Sequence, residues 1–165
     1  MPLPHATNHL IAIEDLPPLL APNARLLGLD LGTKTIGMAL SDVSRSIATP
    51  YETLHRIKFT DDANAIRRVI ETNQVGALVI GLPLHLDGSE GRRVQSTRAF
   101  VRNLGAHIDT PIVLWDERFS TAAVERQLIE VDTSRKRRAE VIDRMAAAYI
   151  LQGALDRLKR LAQQS

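Results

Sequence analysis

Two continuous apolar runs constrain this chain more than anything else in its sequence: GALVIGLP at 76–83 and PIVLWDE at 111–117. Runs of that length without polar alternation read as strands buried on both faces, and such strands are parallel neighbours. Parallel neighbours need a long crossover. Residues 84–110 supply one: Asp87-Gly88 marks a turn, and Ser89 can cap a helix through about Leu104. Upstream, RLLGLDL (25–31) and TIGMALSD (35–42) read as strands joined by a hairpin turn at Gly32–Lys34. IATPYETLHR (47–56) is a third, whose Pro50 suits an edge or a bulge. From Thr60 the period becomes helical, with Ala63, Ile66, Val69 and Ile70 on one face of a helix ending near Asn73. A helix from about Ser120 to Glu130 and a long one from roughly Ser134 to Ala162 follow. The order predicts an α/β fold with a mixed five-stranded sheet, a three-strand antiparallel meander plus two parallel strands, flanked by helices.

The 165 residues fit one domain. Residues 1–24 hold five prolines and little periodicity, and are expected to form an irregular or mobile arm ahead of a domain spanning 25–165. There is no cysteine, which excludes disulfides and thiolate metal sites. The histidines show no zinc spacing. No apolar run is long enough to cross a bilayer, and MPLPHATNHL lacks the basic segment and apolar core of a secretory signal, so no membrane association and a cytoplasmic location are expected. Net charge is only +2, but all 21 Lys and Arg residues lie from Arg25 onward. They gather as RIK (56–58), RR (67–68), RR (92–93) and RKRR (135–138). Such groups serve as solvated faces or neutralise phosphates. Arg135, Lys136, Arg137 and Arg138 open a helix against its macrodipole, a conflict that a phosphate partner would relieve.

Three places could carry chemistry. Asp30 interrupts an apolar strand and shares a face with Gly28 and Gly32, so space surrounds the carboxylate; the alternative is a partly exposed strand-end Asp bonded to the turn. Asp116, Glu117 and Arg118 stand where a buried strand ends, the usual place for sites in sheets with parallel strands; an exposed polar loop accounts for them equally well. Asp143 lies inside the last helix, before three alanines that let the helix approach the sheet closely; taken alone, it reads better as a solvated Asp or one paired with Arg144 or Arg138. Carboxylates from separate elements can share one or two hard divalent cations, and two ions about 4 Å apart assist in-line phosphoryl displacement. A Walker phosphate loop fails here: GLDLGTKT is one residue short between its glycines, puts Thr33 before Lys34, and leads into a strand. A small actin-like nucleotide binder would need a second lobe, for which the chain is too short. Ser120 or Thr121 suits a helix cap better than a nucleophile.

LGLDLGTKTIGMALSD, VIGLPLHLDGSEGRR, DERFSTAAVE and RAEVIDRMAAAYILQGALD, taken together, resemble the YqgF family of bacterial nucleases, also called RuvX, over about residues 25–160. The resemblance implies a ribonuclease-H-like fold and a metal-dependent phosphodiesterase that matures the precursor of 16S ribosomal RNA. The family's three acids fall on Asp30, Glu117 and Asp143, which would bind Mg²⁺ or Mn²⁺, with Asp116 in reserve. Lys34, Arg92, Arg93 and residues 135–138 would hold a nucleic-acid backbone. Departures from the pattern are Thr35 for an Arg, Phe119 for a Leu, and Arg92 for a Pro; Thr35 removes one phosphate contact. Expected partners are precursor 16S rRNA or branched DNA, and the assembling small ribosomal subunit, for a monomer or homodimer. A DNA-junction resolvase and a catalytically silent RNA- or ribosome-binding module are the alternative functions.

Overall fold

The computed structural model describes residues 9–119 and 135–164, without the side chains of 119 and 135–139. Two short 3-10 turns, Ile13–Asp15 and Pro17–Leu19, precede the sheet. Then come β1 (Arg25–Leu31), β2 (Thr35–Ser41), β3 (Ala48–His55), α1 (Phe59–Asn73), β4 (Val75–Leu82), α2 (Arg92–Gly105), β5 (Ile112–Asp116), a 3-10 turn (Glu117–Phe119) and a long helix, α3 (Arg135–Gln163). The expected helix at 120–130 lies outside the described residues.

The strands form one sheet in the order β3-β2-β1-β4-β5. β1–β2 and β2–β3 are antiparallel, β1–β4 and β4–β5 parallel, as the meander-plus-crossover pattern predicts. Gly32 N–H donates to the Thr35 carbonyl at 2.8 Å, closing the β1–β2 turn. α2 starts two residues later than Ser89 suggests, with Gly91 as its N-cap. Ser89 is not a cap because its N–H and hydroxyl both bind the Asp87 carboxylate, at 2.8 and 2.6 Å, tightening the loop instead.

Each strand of the sheet's centre sends alternate residues to two cores. Leu27, Leu29 and Leu31 of β1, with Ile36, Met38, Leu78 and Ile80, pack under α1 and α2. Leu26, Ala39, Ala77, Val79, Val113 and Trp115 face α3. α3 meets that second face with Ala147, Leu151 and Ala154, all fully buried. A Cβ on Gly28 would stand 2.8 Å from Leu151 Cβ and 2.9 Å from the Ala147 carbonyl oxygen. The helix therefore lies close on the sheet because β1 carries no side chain there.

Residues 9–24 of the arm lie against the domain. Ile112 N–H donates to the His9 carbonyl at 2.6 Å and Ile11 N–H to the Ile112 carbonyl at 2.9 Å, a parallel bridge on the outer edge of β5. Ile13 and Leu16 are buried with the α3-facing core. Apolar burial thus ties this proline-rich stretch to the domain despite its lack of period.

Candidate active site

The α3 face of the sheet changes character along β1, from Leu26 through Gly28 to Asp30, which is only 4% exposed. Asp30 pairs directly with Gly37 of β2. A Cβ on Gly37 would overlap the Asp143 carbonyl oxygen and stand 2.9 Å from Asp143 Cβ, so α3 sets Asp143 directly over this glycine. On the other side of β1, a Cβ on Gly81 of β4 would come within 2.6 Å of Glu117 Oε1. Glu117 leaves the end of β5 and folds back over β4, into space that Gly81 leaves clear.

Three carboxylates predicted from separate segments therefore share one sheet face, over three adjacent strands. Asp30 stands on β1, with Asp143 over β2 and Glu117 over β4. The strand positions beneath the outer two are two strand spacings apart, about 10 Å. Among the described residues no three His, Cys, Asp or Glu side chains converge on a single ion, in keeping with that spread. The donor set, all carboxylate oxygen, is that of a hard divalent cation.

Thr35 belongs to this site and was not singled out from the sequence as an acid's partner. Its hydroxyl donates a short hydrogen bond to the Asp143 carboxylate. Two residues before Gly37, it lies on the same face of β2, and the alternation from Gly37 is the signal that locates it. α3 is tied down further along: Thr53 Oγ1 donates to the Glu140 carbonyl at 2.8 Å, and His55 Nε2 lies 3.1 Å from Glu140 Oε1.

Asp116, the reserve ligand, is engaged elsewhere. Arg118 Nε reaches both its oxygens at 3.0 Å and Nη2 reaches Oδ2 at 2.6 Å. Hydrogen bonds from the Arg118 guanidinium hold the Asp116 carboxyl below its usual range; burial opposes them, and the Arg118 N–H and charge add to the lowering. Arg118 Nη1 also donates to the Leu86 carbonyl at 3.3 Å, so the pair clips the β4–α2 loop to the end of β5.

The predicted phosphate contacts surround the same end of the sheet. Lys34 is exposed in the β1–β2 turn, and Arg92 and Arg93 are exposed in the first turn of α2. Residues 135–138 open α3, and their side chains lie outside the described set.

The RuvX family model, described as Holliday junction resolvase, matches residues 24–157. A protein of Methylocella silvestris named "Putative pre-16S rRNA nuclease" is 61% identical over 152 residues, covering 92% of this chain and 94% of its own length. A Paramagnetospirillum magneticum protein of the same name is 59% identical over 147 residues, covering 89% and 95%. Among solved structures, Thermus thermophilus RuvC in complex with a Holliday junction substrate superposes with a TM-score of 0.52 at 11% identity, over 82% of this chain and 96% of that one. The yeast mitochondrial Holliday junction resolvase Ydc2 gives 0.50 at 14% identity, over 92% and 85%. At those identities the likeness is one of fold: the sheet and its helices are ribonuclease-H-like, as the resemblance implied.

Proposed function

This chain belongs to the RuvX family, and we propose that it is a metal-dependent nuclease that hydrolyses RNA phosphodiesters in maturing the 5′ end of precursor 16S rRNA. The observation that carries the chemistry is the row of Asp30, Glu117 and Asp143 over adjacent strands, with glycine beneath the outer two. RNA as substrate follows the name shared by the relatives. The work belongs in the cytoplasm, on the assembling small ribosomal subunit or its free precursor RNA.

Asp30, Glu117 and Asp143 would hold Mg²⁺ or Mn²⁺. Such an ion supplies a Lewis acid for a phosphoryl oxygen and lowers the pKa of a bound water. Thr35 orients the Asp143 carboxylate through its hydroxyl. α3 and the sheet bury Asp30, which strengthens its attraction for a cation in a poorly solvated site. Lys34, Arg92, Arg93 and the cations at 135–138 hold the RNA backbone through charge, which makes binding salt-sensitive and indifferent to sequence.

The test is incubation of the protein with precursor 16S RNA and, separately, a four-way DNA junction, with Mn²⁺ or with EDTA, and mapping of the products. The expected outcome is metal-dependent RNA cleavage that Asp30→Asn lowers more than about 100-fold, beyond the cost of losing a ligand's outer partner. Cleavage of the junction alone would replace RNA by branched DNA. RNA binding without cleavage under any divalent ion would make the protein a silent module, and full activity in a well-folded Asp30→Asn would overturn the site.

A further inference from the structure

On the other side of the β1–β2 turn from the carboxylates, the structure has a cleft of about 540 Å³. Its walls are the turn itself, the connection from β3 to α1, and the first turns of α2, with Phe100 at its floor. Four cations from two of these walls line it: Arg56, Lys58, Arg92 and Arg93. They face one carboxylate, the buried Asp62, which the Arg56 guanidinium approaches at 3.7 Å and to which Ile57 N–H donates at 3.3 Å. Lys58, Arg92 and Arg93 are exposed around the opening. Cations gathered in a concave, low-dielectric wall raise a field that an anion relieves.

Arg56 and Arg93 also grip the turn that follows Asp30. Arg56 Nη1 donates to the Gly32 carbonyl at 2.6 Å, Arg56 N–H to the Lys34 carbonyl at 2.9 Å, and Arg93 Nη2 to the Leu31 carbonyl at 3.5 Å. The turn is thus a narrow divide, with carboxylates on one side, cations on the other, and Lys34 exposed on it. Ile57, 82% exposed at the rim, offers an apolar contact beside the charges. The cleft's volume is that of a pocket for one or two nucleotides, not a duplex.

We propose that this cleft binds successive phosphates of a single nucleic-acid strand that crosses the β1–β2 turn from the carboxylate face. The proposal takes its ligand from the nuclease reading and extends the binding surface to Arg56 and Lys58. Because Arg56 and Arg93 also hold the main chain beside Asp30, a strand seated here bears on the catalytic turn itself.

The experiment measures binding of a fluorescent single-stranded RNA by anisotropy, in EDTA so that nothing is cleaved, across a salt series. Wild type is compared with Lys58→Gln/Arg92→Gln and with Lys159→Gln/Arg160→Gln, which removes the same charge from the exposed far end of α3. Melting temperatures of all three confirm that they fold alike. The cleft variant is expected to bind at least about tenfold more weakly, with the slope of log K against log salt shallower by about 1.4, while the control stays near wild type. Equal weakening in both variants, or wild-type binding by the cleft variant, overturns the proposal. A protein that binds RNA with the expected charge pattern yet never cleaves it loses the nuclease reading and keeps the cleft.

Discussion

At Gly37 there is no room for a single carbon atom, because the main chain of α3 at Asp143 occupies the place of a Cβ. Gly37→Ala is expected to cost more than about 3 kcal/mol in urea unfolding, above the usual range for an overpacked methyl, since backbone rather than a flexible side chain must yield. Gly28→Ala, which meets Leu151 Cβ and the Ala147 carbonyl at nearly 3 Å, should cost about 1–3 kcal/mol by the same measurement. Thr35→Val keeps the shape of the side chain and removes the donor to Asp143. It should leave the melting temperature nearly unchanged and lower cleavage about 10–100-fold, as expected for a partner that orients a ligand. Unaltered cleavage would mean that Thr35 does not position Asp143. Asp30 stands out in the sequence because a carboxylate in an apolar strand is costly without a purpose. Thr35 does not, since a threonine opening a strand is ordinary; only the arrival of α3 over β2 turns its hydroxyl into a partner of the Asp143 carboxylate.

Among the elements, loops are held by local carboxylates that the sequence shows only as turn formers. Asp42 accepts from Ser44 Oγ at 2.6 Å, Ser46 N–H at 2.8 Å and Ile47 N–H at 3.1 Å, closing the β2–β3 connection. These bonds, the Ser44 hydroxyl foremost, lower its pKa from 3.8 to about 2. A depressed carboxyl stabilises the folded loop above its unfolded value, and the contribution is lost as pH falls through the folded one. The Asp42 carboxyl carbon and the amides of Ser46 and Ile47 should therefore titrate together with a midpoint near 2 by NMR. A midpoint near 3.8 would show that the loop is not closed in this way. The strands and helices among the described residues were legible, since buried strands read as continuous apolar runs and α1 as a 3.6-residue stripe. The start of α2 was not: Ser89 and Gly91 both qualify as caps, and Asp87 takes Ser89 for the loop.

In the molecule as a whole, the sheet separates an α1–α2 core from an α3 core, and the second is completed by the arm. Leu16, fully buried there, should cost about 2–5 kcal/mol when replaced by Ala, read as a lowered urea midpoint with unchanged slope. A change below about 0.5 kcal/mol, the size of a surface substitution, would mean that the arm contributes nothing to the fold. Five prolines interrupt its apolar residues and give this stretch no period to read. Its place is visible only once the open edge of β5 and the end of α3 exist to receive it.

The sequence by itself determined the described elements and the sheet's mixed topology, which are written in local pattern, and singled out Asp30 as a residue out of keeping with its strand; Glu117 and Asp143 joined it through the family resemblance. Tertiary structure decided which groups act together. Folding α3 across the sheet set Asp143 over Gly37 and beside Thr35, and the turn after β5 put Glu117 over Gly81. It also brought Arg56 and Lys58 into one cleft with Arg92 and Arg93. Those associations join residues far apart in the chain, and their geometry depends on how closely a helix can approach a strand that carries glycine.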